Sequence, residues 1–176
     1  MSGLGAIFGI SGWSGSGKTT LITRLIPEIR SRGMTVSTIK HAHHRFDIDQ
    51  PGKDSYEHRA AGATEVLVSS AARWALIHEH RGAPEPSLAE LIVQMTPVDL
   101  LLIEGFKSDV YEKLEVHRPS IGKELLCTAD DQVVAVASDT VLAAVTLPVF
   151  DLDDITAIAD FIFARCGLET SMRGTA

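Results

Sequence analysis

The chain has 176 residues, the length of one compact domain when read against roughly 100–200 residues per domain. Its 45% hydrophobic and 22% charged residues exclude a disordered chain, and no apolar run approaches the roughly 18 residues that a membrane-spanning helix needs. The net charge of −7 speaks against a general nucleic-acid binder, although residues 1–59 carry +3 and residues 60–176 carry −10, so the N-terminal third is the part suited to an anion.

Two cysteines, Cys127 and Cys166, form no CxxC, so neither a disulfide framework nor a cysteine zinc site is indicated. Met1 to Gly5 carries no basic segment ahead of its short apolar run. Together these features predict a cytoplasmic protein with no membrane and no nucleic-acid partner.

In chain order, Gly5 to Ser11 is short, apolar and punctuated by glycine, which reads as a buried strand. Lys18 to Arg32 places Leu21, Ile22, Leu25, Ile26 and Ile29 at helical spacing, with Gly33 as the stop and Pro27 as a point of kink or restart. Met34 to Lys40 alternates as a strand and completes a βαβ unit. Residues 41–53 are rich in His and Asp and end in Pro51-Gly52, a loop, after which a helix starts at Asp54 or Ser55.

Thr64 to Ser70 and Arg73 to His78 are β-prone runs that fit a hairpin, although Ala71-Ala72 lacks the usual turn chemistry. Ser87 to Met95 is helical with Ser87 as N-cap, and Val98 to Glu104 is a strongly apolar strand. Leu114 to His117 and Gln132 to Ser138 are further strands, and Asp153 to Arg165 is a closing helix with Asp151 or Asp153 near its start. Trp74 is expected in the core, and Trp13 as a packing residue at a turn. The alternation predicts an α/β layered fold around a mainly parallel central sheet.

Gly12-Trp13-Ser14-Gly15-Ser16-Gly17-Lys18-Thr19 matches the phosphate-loop pattern G-x-x-x-x-G-K-[ST] between a predicted strand and a predicted helix. The fold expected is therefore like that of P-loop NTPases, a single nucleotide-binding domain over 5–165, with 64–79 as a hairpin extension and 167–176 as a flexible tail. Glycines at 12, 15 and 17 bring successive N–H groups around phosphates, Lys18 reaches the β- and γ-phosphates, and the Thr19 hydroxyl binds Mg²⁺. Ser14, Ser16 and Thr20 complete the cradle.

Such a site also needs a carboxylate near the metal at the end of an apolar strand. Glu104 stands there, whereas Asp99 lies at the opposite end. Asp47 and Asp49, in the loop after the second strand, are rivals that could hold a metal-bound water or activate a nucleophile. Asp139 follows a late strand and is the candidate reader of guanine, with a helix cap as its alternative role. Lys40, His41, His43, Arg45 and Lys53 suggest a second anionic ligand; these histidines lack the fourth ligand a zinc site requires. His78 and His80 carry no functional claim.

These segments together resemble the molybdopterin-guanine dinucleotide biosynthesis protein B family. The resemblance rests on Gly12 to Thr20, on Lys40 to Ser55, on Glu104-Gly-Phe-Lys107, on Glu115-Val-His-Arg-Pro119 and on Val136-Ala-Ser-Asp139, and it spans roughly residues 5–165. Arg45 stands where an acidic or small polar residue is more often found. The resemblance implies a GTP-binding accessory protein, with weak GTPase activity at most, that assists the guanylyltransferase joining GMP to molybdopterin. It also implies a homodimer. The residues taken alone leave a second reading open, a small-molecule kinase whose acceptor is held by Lys53, Asp54 and the 41–49 loop; no Arg-rich lid segment supports it.

Overall fold

The structure is a computed structural model that describes residues 5–42, 46–106 and 111–169. It divides into two compact units, Met1–His41 with Met95–Ala176, and Ala42–Gln94.

The first unit begins with strand β1 (Ala6–Ser11), the phosphate loop and helix α1 (Lys18–Ser31), followed by β2 (Val36–Lys40). After the second unit come β5 (Leu100–Glu104), β6 (Lys113–His117), β7 (Val133–Ser138), β8 (Val149–Asp151) and α4 (Ile155–Cys166). The strands form one sheet in the order β2-β5-β1-β6-β7-β8, and every neighbouring pair is parallel. The mainly parallel α/β sheet expected from the sequence is thus the fold observed.

Side chains alternate across a strand, and one face of this sheet is apolar: Phe8 and Ile10, Leu100 and Leu102, Leu114 and Val116, Ala135 and Ala137 are all buried. Leu21, Ile22, Leu25 and Ile29 of α1 and Ile158, Ala159, Ile162 and Phe163 of α4 close over that face. Fully burying one such side chain contributes about 1.5–3 kcal/mol. The other face of β6 carries buried charge. Lys113 donates to Asp130 at 3.0 Å, and Glu115 accepts from the backbone N–H groups of Leu126 and Cys127 at 2.8 and 3.0 Å. These contacts fasten the segment after β6, with its 3-10 turn at Leu126–Thr128, to the strand.

Several details differ from expectation. Helix α1 runs unbroken through Pro27; the Thr23 carbonyl, which the proline ring cannot donate to, belongs to an exposed residue where water can donate instead. The closing helix starts at Ile155, two residues later than expected, and is capped by Asp154, whose side chain accepts from Ala157 N–H at 3.0 Å. Strand β8 was not expected. No helix follows Asp139, since the next begins at Ile155, so its alternative role as a helix cap is ruled out.

The second unit contains α2 (Asp54–Ala60), the antiparallel pair β3 (Glu65–Ser69) and β4 (Trp74–His78), and α3 (Leu88–Val93). Ser87 and Glu90 form a reciprocal capping box at the start of α3. Trp74, expected in the core, is instead 64% exposed. The pairing of Leu67 with Leu76 and of Ser69 with Trp74 puts these residues on one face of the hairpin. Val66, on the opposite face, is the buried one.

Candidate phosphate-loop site

Because all six strands of the sheet run the same way, their C-terminal ends share one edge. Gly12, Lys40, Glu104, Arg118 and Asp139 each stand at such an end or one residue past it. This is the edge at which open α/β sheets bind ligands.

Residues 12–17 link β1 to α1. Gly12 has φ 139°, and a Cβ there would lie 2.4 Å from the Val116 carbonyl oxygen and 2.7 Å from Ser16 Oγ, so no larger residue fits. The Lys18 ammonium donates to the carbonyls of Gly12 and Trp13, each at 2.9 Å, which folds its stem along the loop. Helix α1 has Gly17 at its N-cap and no side-chain cap. Its first N–H groups, with the positive end of the helix, are left for a ligand. Ser16 is 1% exposed, and its Oγ has no hydrogen-bond partner among the described residues. A buried hydroxyl without a partner costs roughly 1–3 kcal/mol, a cost that an anion in the cradle would offset. Ser14, Thr19 and Thr20 are exposed. The loop therefore fits a polyphosphate.

The end of β5 is equally specific. Thr19 Oγ1 donates to Glu104 at 3.3 Å, and the Glu104 side chain is 12% exposed. Lys40 Nζ lies 3.3 Å from the same carboxylate oxygen and 3.4 Å from Thr19 Oγ1. A hydroxyl and a carboxylate already holding a cation between them suit Mg²⁺, which takes oxygen ligands and retains waters. The turn after Glu104 is tight: Gly105 has φ 98°, and a Cβ there would sit 2.7 Å from that of His41. Asp99, at the far end of β5, accepts from Thr35 N–H and hydroxyl at 2.7 and 2.6 Å, well away from this edge.

Sequence reasoning grouped Lys40 with a second anionic ligand, whereas its ammonium is found on Thr19 and Glu104. It gave no role to Arg118, whose guanidinium donates to the Ser16 carbonyl at 3.1 Å and to Asp139 at 2.5 Å. The signal available was position, since Lys40 ends a strand and Arg118 directly follows one. His41 contacts the Phe106 ring at 4.8 Å between centroids. Trp13 donates from Nε1 to the Glu124 carbonyl at 2.8 Å, and Lys123 stands 5.4 Å from its ring. His43 and Arg45 lie outside the described residues, as do Lys107 and the 170–176 tail.

In the second unit, Arg59 gathers the loop carboxylates. It donates to Asp47 at 2.9 Å and to Glu79 at 3.0 Å, and its Nε is 3.6 Å from Asp49. The Arg59 guanidinium holds the Asp47 carboxyl below its ordinary range. Asp49 also accepts from the Ser55 hydroxyl at 2.8 Å. Lys53 is exposed.

Residues 7–139 match the family described as molybdopterin guanine dinucleotide synthesis protein B. The chain is 42% identical over 161 residues to the molybdopterin-guanine dinucleotide biosynthesis adapter protein of Escherichia coli K12, covering 89% of this chain and 90% of the relative. A protein of the same description from Haemophilus influenzae is 40% identical over 159 residues, with 89% and 86% covered. Among solved structures, Bacillus subtilis MobB superposes with a TM-score of 0.72 at 28% identity, covering 92% of this chain and 98% of that one. A second, molybdopterin-guanine biosynthesis protein B, gives 0.71 at 28% identity, covering 90% and 99%.

Proposed function

This chain belongs to the molybdopterin-guanine dinucleotide synthesis protein B family, and from that premise we propose that it is an adapter in molybdenum-cofactor biosynthesis that binds GTP with Mg²⁺. The observation that carries the nucleotide reading is the uncapped start of α1 beside the partnerless Ser16 hydroxyl. Backbone N–H groups of residues 12–20 and the Lys18 ammonium cradle the phosphates. Thr19 and Glu104 would hold Mg²⁺, which would supply charge neutralisation for the bound phosphates. Lys40, whose ammonium lies beside Glu104 and Thr19, would supply further positive charge at this end of the sheet.

Weak hydrolysis at most is consistent with Asp47 and Asp49. They are the carboxylates proposed to activate water, but Asp47, held ionised by Arg59 below its ordinary range, is a poor proton acceptor near neutral pH. Asp139 reads the guanine base. Molybdopterin carries a phosphate, and His41, His43, Arg45 and Lys53 form the proposed second anionic site for it. The partner is the guanylyltransferase that makes the dinucleotide, and the compartment is the cytoplasm. A homodimer is part of this reading, supported by the exposed apolar face of the β3–β4 hairpin. The family's adapter members weigh against a small-molecule kinase.

The test is ligand-induced stabilisation. Nucleotide at about 100 times its dissociation constant should stabilise the parent by roughly 2.7 kcal/mol. Lys18→Ala removes a charge and little core volume, so it should fold normally and lose that shift. An equal shift in the variant would remove the phosphate loop from the site.

A further inference from the structure

Arg118 follows β6 directly and is tied to two functional segments at once. Its Nε donates to the Ser16 carbonyl inside the phosphate loop at 3.1 Å, and its Nη1 donates to Asp139 Oδ2 at 2.5 Å. The side chain is 35% exposed and that of Asp139 34%, so neither is a fully solvated surface charge. The guanidinium also packs against the loop: a Cβ on Gly17 would meet its Nε and Nη2 at 3.6 and 3.7 Å. Beyond Asp139 opens a cavity of about 310 Å³ whose walls include Ser138, Asp139, Thr140, Phe150 and Asp151.

We propose that Arg118 is a positioning residue for base recognition, which sets the Asp139 carboxylate at a fixed place relative to the phosphate loop; this deepens the proposed guanine reading and rests on it. A guanidinium is a planar fork, so bonding Ser16 and Asp139 from different nitrogens sets both at once, which the single point charge of a lysine cannot reproduce.

The pairing does not exhaust the acceptor. Each carboxylate oxygen has two lone-pair sites, so Oδ2 can keep Arg118 while accepting a further donor. Oδ1 has no hydrogen bond among the described residues. The carboxylate therefore retains capacity for guanine N1–H and the 2-amino group, which adenine does not match.

The experiment measures binding of GTP, ATP and inorganic tripolyphosphate, each with Mg²⁺, to the full chain and to Arg118→Ala, Arg118→Lys and Asp139→Asn. Tripolyphosphate has no base and reports the phosphate loop alone. Arg118→Ala should lower GTP affinity by about tenfold, the scale of one charge-assisted hydrogen bond, and bring it towards that for ATP. Tripolyphosphate affinity should change by less than about twofold, and Arg118→Lys should restore little of the preference.

A parallel loss of tripolyphosphate binding would make Arg118 part of the phosphate cradle and overturn the proposal. If Asp139→Asn loses base preference while Arg118→Ala keeps it, the proposal fails and the Asp139 reading stands. If Asp139→Asn also keeps the preference, the base reading itself fails. Should Arg118→Ala not fold, Arg118→Lys carries the same comparison, with full retention of preference as the overturning result.

Discussion

Leu25, Leu100 and Ile162 of the sheet unit are sealed from solvent, whereas Trp74, Leu67 and Val93 of the Ala42–Gln94 unit stand open, with Val66 and Leu88 its buried hydrophobics among the described residues. The sheet unit closes its own core by laying two helices on one face of parallel strands. The smaller unit is organised differently, through Arg59 on its carboxylates, a Glu65–His78 pair at 2.8 Å and the Ser87–Glu90 box. The contrast teaches where burial is concentrated: it supports the strands and helices on either side of the phosphate loop, whereas Leu67, Trp74 and Leu76 of the hairpin stay exposed.

The sharpest way to break this comparison is to truncate a leucine in each unit. Leu25→Ala should cost about 2–5 kcal/mol in urea unfolding, because it removes contacts on every side. Leu67→Ala should cost under about 1 kcal/mol in dilute protein. An equal cost at Leu67 would mean that the hairpin face is covered even then, which sedimentation over a range of concentration would reveal as a persistent dimer.

A smaller effect separates the helix starts. Ser87→Ala should cost about 0.5–2 kcal/mol, since it deletes the oxygen that accepts from Glu90 N–H. Urea unfolding of the variant measures this; no change would show that α3 is held by something other than its cap.

Smallest is an alkaline titration of the sheet unit. Burial raises the Cys166 thiol from its ordinary value of 9.0 to about 11. The folded thiol thus keeps its proton where the unfolded one has lost it, so the stabilising contribution is full below pH 9 and falls away between about 9 and 11. Cys166→Ala should flatten that part of the stability profile; an unchanged slope would place its cause elsewhere.

Much of the sheet unit was legible because its signals are local. Gly12 to Thr19 announces a phosphate loop, the apolar spacing from Leu21 to Ile29 announces a helix face, and Val98 to Glu104 can only be a buried strand ending in a carboxylate. Strand β8 was not legible, being three residues long with its outer two exposed. Trp74 was misplaced because a large aromatic ring suggests a core, and hairpin residues face inwards or outwards according to a register that composition does not contain. Lys40 was assigned to another ligand, and Arg118 given no role, for a different reason. Their roles follow from all six strands being parallel, a property of the assembled sheet that carries residues far apart in the chain to one edge.

Glu115 has a consequence for motion. Its carboxylate, 0% exposed, receives the N–H groups of Leu126 and Cys127, two amides in a connecting segment with no strand pairing of their own. Freeing either would leave a buried carboxylate short of donors, so these amides should open only when β6 itself opens. In hydrogen–deuterium exchange they should be protected like the interior of the sheet, an island of slow exchange within a loop. Glu115→Gln, which keeps the shape but removes the charge, should release them to exchange at rates like those of their neighbours.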